Sequence, residues 1–205
     1  MNPPREKTAQ GEAKSGRPRD PEVDRAILQA ALRVLTDQGY AGTSIERVAA
    51  EAGVGKTAIY RRYASKAELT AAALASLRDA WGPPPDTGSA RTDMIEMLAQ
   101  AQVAFEQGPL LPMLGALLVE ERRNPELFEL FRERIIRPRK DDGMKVLRRG
   151  VARGEIRKDA DLEAAIHAMV GSVLARHVLG APVSRQQIEE TIAVVWRGLA
   201  GDAGE

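Results

Sequence analysis

The sequence predicts an all-α fold of about nine or ten helices. Apolar residues recur every three or four positions along most of the 205 residues, the spacing that gives a helix one buried face. No window alternates apolar and polar residues with the period of two that a half-buried strand needs. Polar N-cap residues, glycines and prolines fall between the apolar stretches, where helices would start and stop. With 43% hydrophobic and 29% charged residues, the composition is that of a globular chain.

Residues 1–19 are polar, with Pro, Gly, Ser and mixed charge, and are expected to form a flexible basic arm. Asp20-Pro21 reads as an N-cap followed by proline at the first helical position. The first helix then carries Val23, Ile27, Ala30 and Val34 on one side and stops at Gly39. Thr43-Ser-Ile-Glu46 reads as a capping box, so a short second helix runs from about Ser44 to Gly53. A third follows from Gly55 to about Tyr63. Ser65-Lys-Ala-Glu68 is a second capping box and opens a fourth helix from Lys66 to about Ala80. The Pro/Gly-rich break at 81–89 ends it. Five further helical stretches are expected near 90–106, 110–123, 125–153, 161–179 and 184–200, with Pro138 kinking or splitting the third of them.

Several function classes are excluded at once. There is no Cys, hence no disulfide framework, thiolate nucleophile or Cys-based metal site. The only histidines, His167 and His177, are badly spaced to share a metal, and no nucleophile–base constellation appears, so an enzyme is not expected and no cofactor is implied. Glu163 and His167 could share a metal, but a structural histidine is the commoner case. No apolar run approaches the ~18 residues of a membrane span, and the N-terminus has no apolar signal core, which places the expected protein in the cytoplasm with no membrane partner.

Net charge is only +1, yet its distribution is uneven. Residues 1–75 hold 12 basic and 9 acidic side chains, and the cluster Lys56, Arg61, Arg62, Lys66 has no acid within it. Such a local excess suits approach to phosphate. Gly53 permits the left-handed turn between helices two and three. With Val54 and Ile59 turned inward, Lys56, Thr57, Tyr60 and Arg61 fall on the outer side of a short helix of major-groove dimensions. Tyr63 reads as a core aromatic.

The text AILQAALRVLTDQGYAGTSIERVAAEAGVGKTAIYRRYASKAEL, residues 26–69, resembles the TetR family of bacterial transcriptional regulators. The features that carry the resemblance are Gly39-Tyr40, Thr43, Ile45, Val48-Ala49, Ala52-Gly53-Val54, Lys56, Ile59-Tyr60, Tyr63, Ser65-Lys66 and Leu69. It implies a homeodomain-like three-helix, helix-turn-helix DNA-binding domain over 20–66 and an effector-binding and dimerisation domain over 67–205. Lys56, Thr57 and Ala58 lie where this family approaches bases, and Tyr60 and Lys66 where it clamps phosphates. Arg61 and Arg62 suit either role. Thr43 and Ser44 stand at a helix N-terminus, where hydroxyl and N–H groups can meet a phosphate. Ala58 departs from the common Thr or Ser, leaving apolar contact such as with a thymine methyl. Arg17 and Arg19, in Gly16-Arg-Pro-Arg19, resemble a minor-groove hook.

Residues 162–180 are apolar nearly all round, and Ile188, Ile192, Val195, Trp196 and Leu199 give the last helix an apolar side. Two such helices per chain suggest a homodimer through residues 161–200, built as a four-helix bundle. The resemblance implies the same, together with a small-molecule pocket between about 90 and 177. Trp81, Phe105, Leu114, Leu117, Phe128, Phe131, Met169 and Val173 are its candidate lining, suited to an apolar or amphipathic effector. Met94, Met97, Met113, Met144 and Met169 could also line an adaptable pocket, though each alone reads as core. The expected function is a repressor that binds a palindromic operator in double-stranded DNA and is released by that effector. A DNA-binding regulator without a ligand is the alternative.

Overall fold

A computed structural model describes residues 20–106, 110–122, 125–181 and 183–200. These residues form ten α-helices and one π-helical stretch, with no strand among them. The first four are α1 (Pro21–Gly42), α2 (Ile45–Ala52), α3 (Lys56–Tyr60) and α4 (Lys66–Asp79). The remainder are α5 (Ala90–Glu106), α6 (Leu110–Glu120), α7 (Pro125–Phe131), α8 (Arg137–Ala152), α9 (Leu162–Val178) and α10 (Arg185–Leu199).

The helix ends follow from local chemistry. The Asp20 carboxylate accepts from the Glu22 N–H at 3.0 Å, with Pro21 at the first helical position. Gly39, at φ 65°, breaks the helical path inside α1, a conformation that a side chain would strain. Gly53 caps α2 in the left-handed region at φ 66°, which turns the chain tightly into α3. Regular helix in α3 spans five residues, about 7.5 Å, shorter than the stretch to Tyr63 that the sequence suggests. Hydrogen bonds from the Arg62 and Tyr63 N–H groups to the Ile59 carbonyl carry the coil onward.

Pro138 has the effect expected of it. Its ring cannot follow a carbonyl four residues back, and it has no N–H to give. The chain widens into the π-helical stretch Arg132–Ile136 just before it, where the Arg137 N–H reaches the Arg132 carbonyl. The single long stretch of the sequence therefore becomes α7, a π-turn and α8.

Two apolar cores organise the chain. One joins α1–α4 to α6 and α7 through Ile27, Val48, Ile59, Leu69, Leu74, Met113 and Phe131. The other joins α5, α8, α9 and α10 through Met94, Leu147, Met169, Val173 and Ile188. Leu69, Ala73 and Leu74 of α4 pack in the first core beside α1, so the N-terminal helices share one core with residues beyond position 66.

Candidate nucleic-acid interface and internal cavity

On α3, Ile59 is fully buried while Lys56, Thr57, Tyr60 and Arg61 are exposed. Ala58 is half-buried beside them. Tyr60 stands 54% exposed, unusual for an aromatic in a folded chain and fitted to an outside contact. The Lys56 ammonium pairs with Glu46 at 3.1 Å, linking the start of α3 to the first turn of α2. Glu46's carboxyl is held below its usual range, first by its own backbone N–H and then by Lys56. The pair is exposed, so exchanging Glu46 for a DNA phosphate or base edge costs Lys56 little.

Two sequence expectations change at the edges of this face, and a third residue is found with a partner of its own. Thr43 is buried, and its hydroxyl donates to the Gly39 carbonyl at 2.8 Å. It closes α1 rather than opening α2, and its hydroxyl proton is already used within the chain. Ser44 is the N-cap instead, accepting from the Arg47 N–H, so the cap sits one residue later than the sequence pattern suggests. Arg62 is the second correction. Its side chain is 6% exposed, paired with Asp24 and donating to the Ala58 carbonyl at 2.9 Å. It ties α3 to α1 and is not free for DNA. Lys66, third, donates to the Tyr40 carbonyl at 2.9 Å and lies 4.0 Å over the Tyr40 ring. One N–H is thereby used, leaving two for a phosphate. Arg17 and Arg19 lie outside the described residues.

A cavity of about 260 Å³ lies between the two cores, just below the ~300–1,000 Å³ typical of small-molecule sites. Of the expected lining, Trp81, Phe105, Leu114 and Phe131 border it. Leu117 instead borders a cleft against α1, while Phe128 is buried in the first core and Met169 and Val173 in the second. Residues that the sequence pattern did not single out complete the wall, among them Ile135, Gly143, Ile166 and Val170. Met94 and Met97 also line it, whereas Met113 and Met144 pack elsewhere.

The wall also holds Arg139, Lys140 and His167. Lys140 is paired with Glu163 at 2.9 Å. Arg139 donates through Nη2 to the Met97 carbonyl at 2.9 Å and to Gln100 at 3.0 Å, with its guanidinium 5.1 Å from the Trp81 ring. Burial pulls its pKa below the ordinary guanidinium value. A signal for it exists in the sequence: Ile135, Arg139, Gly143 and Leu147 recur at four-residue spacing, which puts an arginine on an apolar helix face. The described residues hold no metal-binding cluster, and none of their helices is long and apolar enough to cross a membrane.

An exposed short helix after a left-handed turn, joined to a helical domain with an apolar cavity, defines a helix-turn-helix DNA-binding protein with a second, ligand-binding type of domain. Residues 27–73 match the family described as bacterial regulatory proteins, tetR family, and residues 84–195 match the tetracyclin repressor-like C-terminal domain. The chain belongs to the TetR family. It is 36% identical over 164 residues to the DNA-binding transcriptional repressor TetR of Mycobacteroides abscessus, covering 77% of this chain and 83% of that one. It is 28% identical over 192 residues to the HTH-type transcriptional regulator YdeS of Bacillus subtilis, covering 92% and 95%. Among solved structures, the flavonoid-responsive regulator FrrA shares the fold, with a TM-score of 0.70 at 20% identity over 90% of this chain and all of that one. The protein is a DNA-binding transcriptional regulator and not an enzyme, of a family whose members dimerise and carry a C-terminal ligand-binding domain.

Proposed function

We propose that this chain is a dimeric repressor that binds a palindromic operator and leaves it when a small apolar or amphipathic effector fills the cavity. The cavity itself is the observation that carries the reading: a regulator controlled only by its own level has no need of an unfilled space in its core. Lys56, Thr57 and Ala58 would meet base edges, and Tyr60, Arg61, Ser44 and Lys66 the phosphates that flank them.

Dimerisation is supported by α9. Ala165, Ile166, Met169 and Val173 face its own core, while Ala164, Ala168, Gly171, Ala175 and Val178 are exposed at alternating four- and three-residue spacing. That second apolar seam fits another helix at close range. Val194 of α10, the helix packed against α9, is also 61% exposed. Two α3 helices must then sit ~34 Å apart, one turn of DNA, to read both half-sites. α4 is suited to alter that distance, because it packs beside α1 at one end and leads to Trp81 at the cavity.

Gel-shift titration with the DNA flanking the protein's own coding sequence tests the reading. The expected result is a complex of two chains per palindrome that survives excess unrelated DNA. Binding no tighter than to unrelated DNA would overturn it.

A further inference from the structure

We propose that the cavity takes a compact apolar monocarboxylic acid whose carboxylate is received by Arg139. The inference rests on reading the cavity as an effector site and adds the chemical class of the effector.

Charge accounting in the wall comes first. Lys140 already has Glu163 as partner, so its charge is answered. Arg139 has none among the described residues: its hydrogen bonds there go to a backbone carbonyl and to the neutral side chain of Gln100. The acid whose field acts on it, Asp142, is taken by Lys145 at 2.9 Å and lies 3.9 Å from Arg78. A mostly buried guanidinium without a carboxylate partner is costly, and a site that keeps one gains most from an arriving anion.

Geometry comes next. Both of these Arg139 hydrogen bonds leave from one nitrogen, Nη2, and neither Nε nor Nη1 donates to any described residue. These N–H groups lie on different edges of the planar guanidinium, so each is left to give a carboxylate oxygen a single charge-assisted hydrogen bond. The Trp81 ring lies 5.1 Å from the guanidinium carbon and itself lines the cavity. Met94, Met97, Leu98, Phe105, Leu114 and Ile166 make most of the wall apolar; besides Lys140, His167 is its other ionisable side chain, and Arg139 is the one fixed cation in it without a carboxylate partner among the described residues. One guanidinium balances one carboxylate. A dianionic phosphate would leave a charge unbalanced among apolar side chains, and a neutral ligand would leave Arg139 as it stands.

The test uses the full-length protein and paired probes: straight-chain carboxylic acids of six to twelve carbons and the alcohols of equal length. Calorimetry and the fluorescence of Trp81 report binding. The expected result is that the best acid binds at least tenfold tighter than its alcohol, the margin of a hydrogen bond to a charged group over a neutral one. In Arg139→Met the acid should weaken about tenfold or more while the alcohol holds within twofold, which also shows that the cavity is still folded. Arg139→Lys should recover part of the acid's affinity, since it restores the charge but not the planar guanidinium. Alcohol bound as tightly as acid in the unaltered protein overturns the carboxylate and leaves the cavity reading standing. Binding of neither series overturns the cavity reading and this inference with it.

Discussion

Arg61 and Arg62 are adjacent arginines with opposite surroundings, and replacing each by Met separates the proposed DNA contact from a structural tie. The Arg62 side chain is 6% exposed and gives up two hydrogen bonds, one to the Asp24 carboxylate and one to the Ala58 carbonyl. A hydrogen bond involving a charged group contributes ~1.5–3 kcal/mol when shielded. Asp24 is 31% exposed, so solvent screens part of that, and Met retains most of the apolar stem. The loss should come to about 2 kcal/mol. In a chain of this length that lowers Tm by about 4–8 °C. Operator affinity should fall because the Ala58 carbonyl, and with it the end of α3, loses its hold on α1. The slope of log affinity against log salt should not change, since no phosphate contact is removed. Arg61→Met should do the reverse, leaving Tm within about 1 °C and reducing the magnitude of the salt slope by ~0.9. The reasoning is refuted if Arg62→Met keeps its Tm and loses ~0.9 of slope, because the arginine would then leave Asp24 for a phosphate on DNA.

Three further outcomes are expected. Gly53→Ala forces a side chain into the left-handed turn at φ 66° and should cost about 1 kcal/mol in thermal or urea unfolding, with weaker operator binding because the turn sets α3 against α2. Gly150→Ala places a methyl 2.7 Å from the Ala90 Cβ and 2.8 Å from the Ile156 Cδ1; Ile156 can rotate away but Ala90 cannot, so a loss of ~1–3 kcal/mol is expected, and an unchanged Tm would show that α5 and α8 part easily. A Cβ at Gly171 meets nothing within 4 Å in the single chain and the position stands in the exposed seam of α9, so for Gly171→Leu sedimentation should show a folded monomer where the unaltered protein is expected to sediment as a dimer. An unchanged dimer would move the interface away from α9.

Helix positions are legible in the sequence because they are written in local chemistry. The stretch 90–106 expected from periodicity coincides with α5, and Pro138 announces the break that becomes the π-turn. The exposed side of α3 is legible for the same reason, since Ile59 inward fixes where Lys56, Thr57 and Tyr60 go. The features that escape it depend on a partner distant in sequence or on the path of the backbone. Thr43 and Ser44 are equally good caps on paper; the turn at Gly39 brings a carbonyl to the Thr43 hydroxyl and so decides between them. Arg62 looks like its neighbour because Asp24 lies 38 positions away. The cavity is half legible for a related reason. Periodicity says which face of a helix is covered, but not whether the facing side chains fill the space, so Phe105 and Leu114 line a void while Met169 and Val173 are packed solid.

A mechanism through α4 also needs that helix to have two arrangements of similar energy, and its two ends differ in how firmly they are held. At the N-terminal end, Ser65 caps the helix, Lys66 bonds the Tyr40 carbonyl, and Leu69 is buried against α1. At the other end the contact to α8 is loose. The Arg78 guanidinium is 3.9 Å from Asp142, beyond hydrogen-bond range, and its Nε is buried without an acceptor among the described residues. A short displacement of this end toward α8 would bring the guanidinium within bonding distance of Asp142, so the present position is not the best-satisfied one available. Arg139 lies one turn before Asp142 on α8 and touches Trp81, which comes just after the end of α4. A ligand that repositions Arg139 therefore acts on both contacts that decide where the end of α4 rests. The effect on DNA is bounded by linkage: loosening operator binding a hundredfold requires the effector to prefer the released arrangement by about 2.7 kcal/mol, and bound operator weakens the effector by the same factor. One carboxylate newly bonded to a desolvated guanidinium is of that size, at ~1.5–3 kcal/mol. The Arg139–carboxylate contact could thus supply most of the switching energy, provided it forms only when the end of α4 has moved.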